Sequence, residues 1–185
     1  MAVDRPVEVS NFNIANILTM IRIALVPVFV WLFLSGGTEM RLAAAILFLV
    51  AALTDKLDGY LARSRGLITD LGKLLDPIAD KALVIAALLL LSIEGLVPWW
   101  VTALILLREF GITFMRMAMV RRSVMAASQG GKIKTVLQMG FLTVLLVPWH
   151  GLVSEGAADG IVMAGQIVRY LALAVTLVTG AMYVR

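Results

Sequence analysis

Residues 41–63 read RLAAAILFLVAALTDKLDGYLAR and residues 70–94 read DLGKLLDPIADKALVIAALLLLSIE. Each segment carries an apolar run, and each is broken by two aspartates near the loop the segments share. A membrane-spanning helix needs roughly 20 mostly apolar residues to cross a hydrocarbon core about 30 Å thick. An aspartate near the middle of such a helix costs roughly 2.5–3.5 kcal/mol on the insertion scale. Asp55, Asp58, Asp76 and Asp80 therefore need a reason, and intramembrane ionisable residues are functional by default. With helix 2 starting near Arg41, a rise of 1.5 Å per residue puts Asp55 roughly 21 Å and Asp58 roughly 26 Å along it. An antiparallel hairpin would then bring both aspartate pairs to one depth.

The spacing also sets their faces. Asp55, Asp58, Gly59 and Ala62 recur at i, i+3, i+4 and i+7, one side of a helix, and Asp76 and Asp80 stand at i, i+4. Four converging carboxylates repel one another unless cations bind between them. Oxygen ligands of this kind suit Mg²⁺, Ca²⁺ or Mn²⁺, and four of them accommodate a pair of ions able to hold a phosphate. Gly59 and Ala62 leave room for a bulky ligand, and Arg63 at the membrane edge is suited to a phosphate. The competing structural reading is that these aspartates cap helices or pair with Lys56, Arg63, Lys73 and Lys81. For all four together at this spacing it explains less.

The rest of the chain has the same character. Its 185 residues are 61% hydrophobic and 15% charged, with mean hydropathy +0.97, against about half apolar and a quarter charged in soluble domains. The expected fold is all-α, a polytopic membrane protein with six transmembrane helices at 14–35, 41–63, 74–94, 97–122, 133–151 and 160–184. Turn residues break it at Ser35-Gly36-Gly37, 64–72, Glu94-Gly95, 128–131 and 151–160. The first segment is too long for a signal peptide and lacks a small-residue cleavage site, so it reads as a retained helix. No repeat or linker divides the chain, and residues 1–185 read as one domain. The absence of cysteine excludes disulfides and thiol chemistry.

The net charge of +4 does not indicate nucleic acid, because the basic residues cluster in a few loops. Arg63, Arg65 and Lys73, then Arg116, Arg121, Arg122, Lys132 and Lys134, lie on one side. Glu39 with Arg41, Glu94, and Glu155 with Asp159 lie on the other. The positive-inside rule makes the basic side cytoplasmic and places both termini there. Trp99, Trp100 and Trp149 read as an aromatic belt on the opposite side, with His150 an interfacial residue beside Trp149.

The run Asp55-Lys-Leu-Asp58-Gly59-Tyr-Leu-Ala62-Arg63, followed by Gly72, Asp76 and Asp80, resembles the signature of the CDP-alcohol phosphotransferases, D-x2-D-G-x2-A-R-x8-G-x3-D-x3-D. Every fixed position and every gap agree. The resemblance implies six transmembrane helices, a homodimer and a divalent-metal site holding two Mg²⁺ or Mn²⁺ ions. It assigns Asp55, Asp58, Asp76 and Asp80 to metal binding and Asp80 also to deprotonating the acceptor hydroxyl. Gly59, Ala62 and Arg63 would lie against the CDP moiety, with Gly72 closing the site. The implied chemistry transfers a phosphatidyl group from CDP-diacylglycerol to an alcohol and releases CMP. The enzyme would be an integral protein of a bacterial inner or plasma membrane, with its site facing the cytoplasm.

The acceptor is suggested by other segments. Asn13-Ile-Ala-Asn16-Ile-Leu-Thr19-Met-Ile-Arg22 is similar to the opening of the phosphatidylglycerophosphate synthase branch, with Ala15 where proline is usual. Arg108-Glu109, Arg116 and Gly131-Lys132-Ile133-Lys134-Thr135 also resemble that branch. The acceptor is then sn-glycerol 3-phosphate, and Arg108, Arg116, Lys132 and Lys134 are the candidates to hold its phosphate. The alternatives are positive-inside anchoring for these residues and, for Arg108, pairing with Glu109 or another helix. Asn16, Thr19 and Arg22 lie on one face of helix 1, to touch the site or to bond neighbouring helices. Two rival functions stand beside this reading. One keeps the chemistry with inositol phosphate or phosphatidylglycerol as acceptor, and the other is a divalent-cation transporter. A purely structural membrane protein fits four buried aspartates poorly.

Overall fold

The computed structural model describes residues 14–64, 70–119 and 129–184, without the side chains of Ala15, 55–64, 70–77, Asp80, 116–119, 129–132 and 181–184. The described residues form an all-α bundle of six helices without strands: α1 (Ile14–Leu34), α2 (Thr38–Ser64), α3 (Asp70–Ile93), α4 (Trp99–Met119), α5 (Gln129–Leu146) and α6 (Glu155–Val184). Two of the expected breaks are glycine turns. Gly36 and Gly37 take φ of 72° and 77°, and Gly95 takes 76°, a left-handed backbone that only glycine adopts without strain. Pro98 then leads into α4, its carbonyl accepting from the Val101 amide at 2.9 Å.

Several boundaries differ from the sequence reading, among them the starts of α2 at Thr38 and α5 at Gln129. The expected loop at 151–160 is shorter, because α6 already begins at Glu155, an acidic residue suited to the helix N-terminus. Gly151 closes a short 3-10 turn (Trp149–Gly151) instead. α3 begins at Asp70, so Gly72 lies in its first turn rather than in a loop. α5 ends at Leu146, ahead of Pro148. Of the described helices, α1 and α6 contain stretches long and apolar enough to cross a membrane, Asn16–Leu34 and Glu155–Gly180, while Lys81–Ile93 and Ile133–Leu146 are shorter apolar runs. In α3 and α5 the polar residues of one end shorten the apolar run.

Packing divides the bundle into two unlike halves. α1 lies against both α2 and α3, α5 also touches both, and α5 packs most extensively on α6. α1 and α5 thus each touch both α2 and α3. Away from the 64–70 connection, the interior of the bundle is filled. Phe29, Phe33 and Phe48 interlock with ring centroids 5.9–6.3 Å apart. Leu88, Leu91, Val97, Val101, Ile105, Phe141, Leu142 and Leu146 are fully buried around them. Large apolar side chains also cover the outside, among them Trp31, Leu53, Leu107, Phe114 and Met163, as expected where lipid rather than water is the surrounding solvent.

The end away from the 64–70 connection is pinned by polar contacts. There Arg41 of α2 is ion-paired with Glu94 after α3, and its guanidinium lies 4.3 Å from the Phe33 ring centroid. Arg169 of α6, only 4% exposed, donates to the Leu96 carbonyl at 2.6 Å and stacks on Tyr170. Ser92 and Thr102 share a buried hydrogen bond of 2.7 Å across the α3–α4 turn. Trp149 is fixed by its indole donating to the Val144 carbonyl at 2.8 Å. His150 is exposed, 3.8 Å from Asp159, which accords with an interfacial position.

Candidate functional site

The Arg41–Glu94 pair fixes the register of the two aspartate-bearing helices. Residues 41 and 55 are fourteen positions apart, and so are residues 80 and 94. At 1.5 Å per residue, Asp55 and Asp80 both lie about 21 Å along their helices from that pair. Asp58 and Asp76 lie one turn further, towards the 64–70 connection. The two pairs thus share one level on antiparallel helices, with α1 and α5 packed against both. The side chains of all four aspartates, and of Ala62 and Arg63, lie outside the described residues, as do those of Arg116 and Lys132. Gly59 belongs to the last turns of α2 and Gly72 to the first turn of α3.

The flanking helices present polar groups to the same half. On α1, Asn16, Thr19 and Arg22 are all buried, at 2%, 3% and 4% exposure, along one face. Each of the three has an interaction partner, and the face is turned inwards. On α5, Lys134 is 7% exposed and Gln138, one turn on, is 4% exposed.

Lys134 belongs to a network that joins three helices. Its ammonium is ion-paired with Glu109 Oε1 of α4. Arg108 Nη1 donates to the same Oε1 at 3.1 Å, and Arg108 Nη2 donates to Thr179 Oγ1 of α6 at 3.2 Å. Thr179 can accept that bond because its own hydroxyl hydrogen is directed to the Val175 carbonyl, 2.7 Å away. Gly180 gives Arg108 its path, since a Cβ there would stand 3.2 Å from Arg108 Cγ. Arg108 therefore pairs with Glu109 and with another helix, the structural alternative recognised in the sequence. It sits near the middle of α4 rather than at its end. Pairing does not exhaust its capacity, because Arg108 Nε is buried without a hydrogen-bond partner. One carboxylate serves two cations here, which leaves a net positive charge where water is scarce.

Sequence reasoning gave no role to Thr179, Gln138 or Arg169. Each is a lone polar residue within an apolar helix, and its importance depends on what the fold puts beside it. Arg108 and Thr179 are separated by 71 residues.

Comparison with known proteins identifies the family. The family model described as CDP-alcohol phosphatidyltransferase matches residues 12–178. A protein named "Probable phosphatidylglycerophosphate synthase" from Mycobacterium tuberculosis is 45% identical over 175 residues, 93% of this chain and 80% of that protein. A protein named "CDP-diacylglycerol--glycerol-3-phosphate 3-phosphatidyltransferase" from Bacillus subtilis is 43% identical over 149 residues, 74% of this chain and 77% of its own. One of the same name from Escherichia coli is 44% identical over 142 residues, 74% of this chain and 78% of its own. With a helical bundle that brings the signature aspartates to one level and a family match across nearly its whole length, the chain belongs to the CDP-alcohol phosphatidyltransferase family.

Proposed function

We propose that this protein transfers the phosphatidyl group of CDP-diacylglycerol to sn-glycerol 3-phosphate, giving phosphatidylglycerophosphate and CMP. The observation that carries the choice of acceptor is the Arg108–Glu109–Lys134 network. Buried Lys134 and half-buried Arg108 share one carboxylate, and Arg108 Nε has no hydrogen-bond partner. Such a group is completed by an anion, and the phosphate of the acceptor supplies one. The names of the relatives point the same way.

In this reading the chain works as a single domain with six membrane spans, both termini on the cytoplasmic side, in a bacterial inner or plasma membrane. It acts as a homodimer. The donor set of Asp55, Asp58, Asp76 and Asp80 is all carboxylate oxygen, on two helices whose register matches, and fits hard divalent cations such as Mg²⁺ or Mn²⁺. Two such ions, when bound, neutralise charge on the pyrophosphate and on the transferring phosphoryl group. Gly59, Ala62, Arg63 and Gly72 accommodate the CDP moiety. Arg108 and Lys134, joined by Arg116 and Lys132 from the same helices, hold the acceptor phosphate. Asn16, Thr19 and Arg22 form the α1 wall. Asp80 removes the proton from the 1-hydroxyl of glycerol 3-phosphate. The resulting oxygen attacks the phosphorus bearing diacylglycerol, the bond to the CMP oxygen breaks, and CMP leaves.

The test is an assay of purified protein with CDP-diacylglycerol, Mg²⁺ and labelled glycerol 3-phosphate or inositol phosphate in parallel, following CMP and the lipid product. Phosphatidylglycerophosphate formed from the first and lost with EDTA is the expected result. Product from inositol phosphate alone would overturn the acceptor assignment.

A further inference from the structure

We infer that Gln138 reads a hydroxyl of the acceptor, so that the acceptor site extends one helical turn past Lys134 along α5. The inference rests on the acceptor reading above and adds a residue to it. Gln138 is 4% exposed, and its Oε1 is buried without a hydrogen-bond partner among the described residues. An amide oxygen in that condition is rare in folded proteins, and more so where lipid replaces water as the solvent.

Its surroundings show which kind of group is missing. Lys134 and Gln138 lie at i, i+4 on the buried face of α5. The next residues on that face, Phe141 and Leu142, are fully buried and offer no polar hydrogen. Gln138 is therefore the last polar residue on that face of α5. Cα–Cβ bonds tilt towards a helix N-terminus, and the N-terminus of α5 lies on the side of Lys134. The amide thus leans towards the Lys134–Glu109–Arg108 network, yet the hydrogen bonds of Lys134 and Arg108 go to Glu109 and Thr179 and none goes to Gln138. The vacant partner is a donor, and a molecule whose phosphate is held by Lys134 can bring one. In sn-glycerol 3-phosphate the 1-hydroxyl reacts and the 2-hydroxyl remains. Its O–H donates to Gln138 Oε1.

The experiment compares sn-glycerol 3-phosphate with 3-hydroxypropyl phosphate, which lacks only the 2-hydroxyl, in the full-length protein and in Gln138→Met. The unaltered protein should prefer the glycerol compound by about tenfold in kcat/KM, the worth of one well-placed hydrogen bond. In Gln138→Met that preference should fall to about onefold, with the rate on 3-hydroxypropyl phosphate kept within about twofold. Gln138→Leu should behave in the same way. Both variants should melt at or above the original temperature, because an apolar side chain replaces an unsatisfied amide. An unchanged preference in both variants, or lowered melting temperatures, would overturn the inference and leave the acceptor reading intact. If the unaltered protein uses neither phosphate but turns over another alcohol, the acceptor reading itself falls, and this inference with it.

Discussion

Glu109→Ala is the perturbation whose consequence follows most directly from the structure. The carboxylate is shared by Arg108 and Lys134, whose side chains are 12% and 8% exposed. Removing it strands two cations in a part of the bundle that water reaches poorly. Breaking a buried pair by deleting one partner costs about 3–5 kcal/mol. Arg108 keeps its bond to Thr179, so the lower end, about 3 kcal/mol, is expected. The partner experiment is Lys134→Met. There Glu109 remains paired with Arg108 and the network becomes neutral, so the cost should stay within about 1 kcal/mol. The ordering follows from net charge and not from the number of bonds lost. Unfolding free energies measured in lipid–detergent micelles against rising SDS fraction give both values. Lys134→Met should meanwhile raise KM for glycerol 3-phosphate in a protein that remains folded. A Lys134→Met cost equal to or larger than that of Glu109→Ala would refute the reasoning, because the network would then be a lysine anchor and not an unfilled anion site.

Three further outcomes are expected. Asp80→Asn should abolish CMP release while leaving elution and melting of the detergent-solubilised protein unchanged, and normal turnover would remove Asp80 from the role of base. Arg169→Leu deprives the Leu96 carbonyl of its donor and Tyr170 of its stacking partner. It should cost about 1–2 kcal/mol in the same unfolding assay with KM unaltered, because the contact lies at the far end of the bundle. Gly180→Ala should be tolerated with a small shift of Arg108, whereas Gly180→Leu should displace Arg108 from Thr179 and raise KM for the acceptor, as steady-state kinetics would show.

The helices were legible in the sequence because long apolar runs separated by glycine turns leave little choice of structure. Their ends were less so. Glycine and aspartate at 156–160 read as loop, yet α6 begins at Glu155. The signature carboxylates were legible through their cost, since an aspartate in a membrane helix has to be explained. Their common level is supported by a contact that no motif singles out, the pairing of Arg41 with Glu94. Arg108 was visible as a charge in an apolar helix, and Glu109 as its neighbour. That Lys134 would share the same carboxylate, and that Thr179 would complete the set, depends on helices meeting from distant parts of the chain. A single threonine or glutamine in an apolar run carries no periodic signal of its own.

The packing also decides between the two functions that would use the same carboxylates. A transporter needs a route from the metal-binding level to the opposite side. Asp55 and Asp80 lie about 21 Å from the Arg41–Glu94 pair, and the intervening bundle holds Phe29, Phe48, Leu88, Phe141 and Leu142, all without solvent exposure. Protein interiors of this kind are as dense as organic crystals, with few voids larger than water. A cleft of about 580 Å³ does lie at the far end, lined by Thr38, Arg41, Glu94 and His150 among others, but the buried phenylalanines and leucines stand between it and the aspartate level. Buried polar groups also stand on the aspartate side of that plug, on α1, α4, α5 and the end of α6. A bundle sealed across its middle suits a reaction whose soluble substrate enters and leaves on the same side, with its lipid partner arriving laterally. Opening a path for ions would mean unpacking the aromatic core itself, where truncation of a single buried phenylalanine costs about 3–5 kcal/mol.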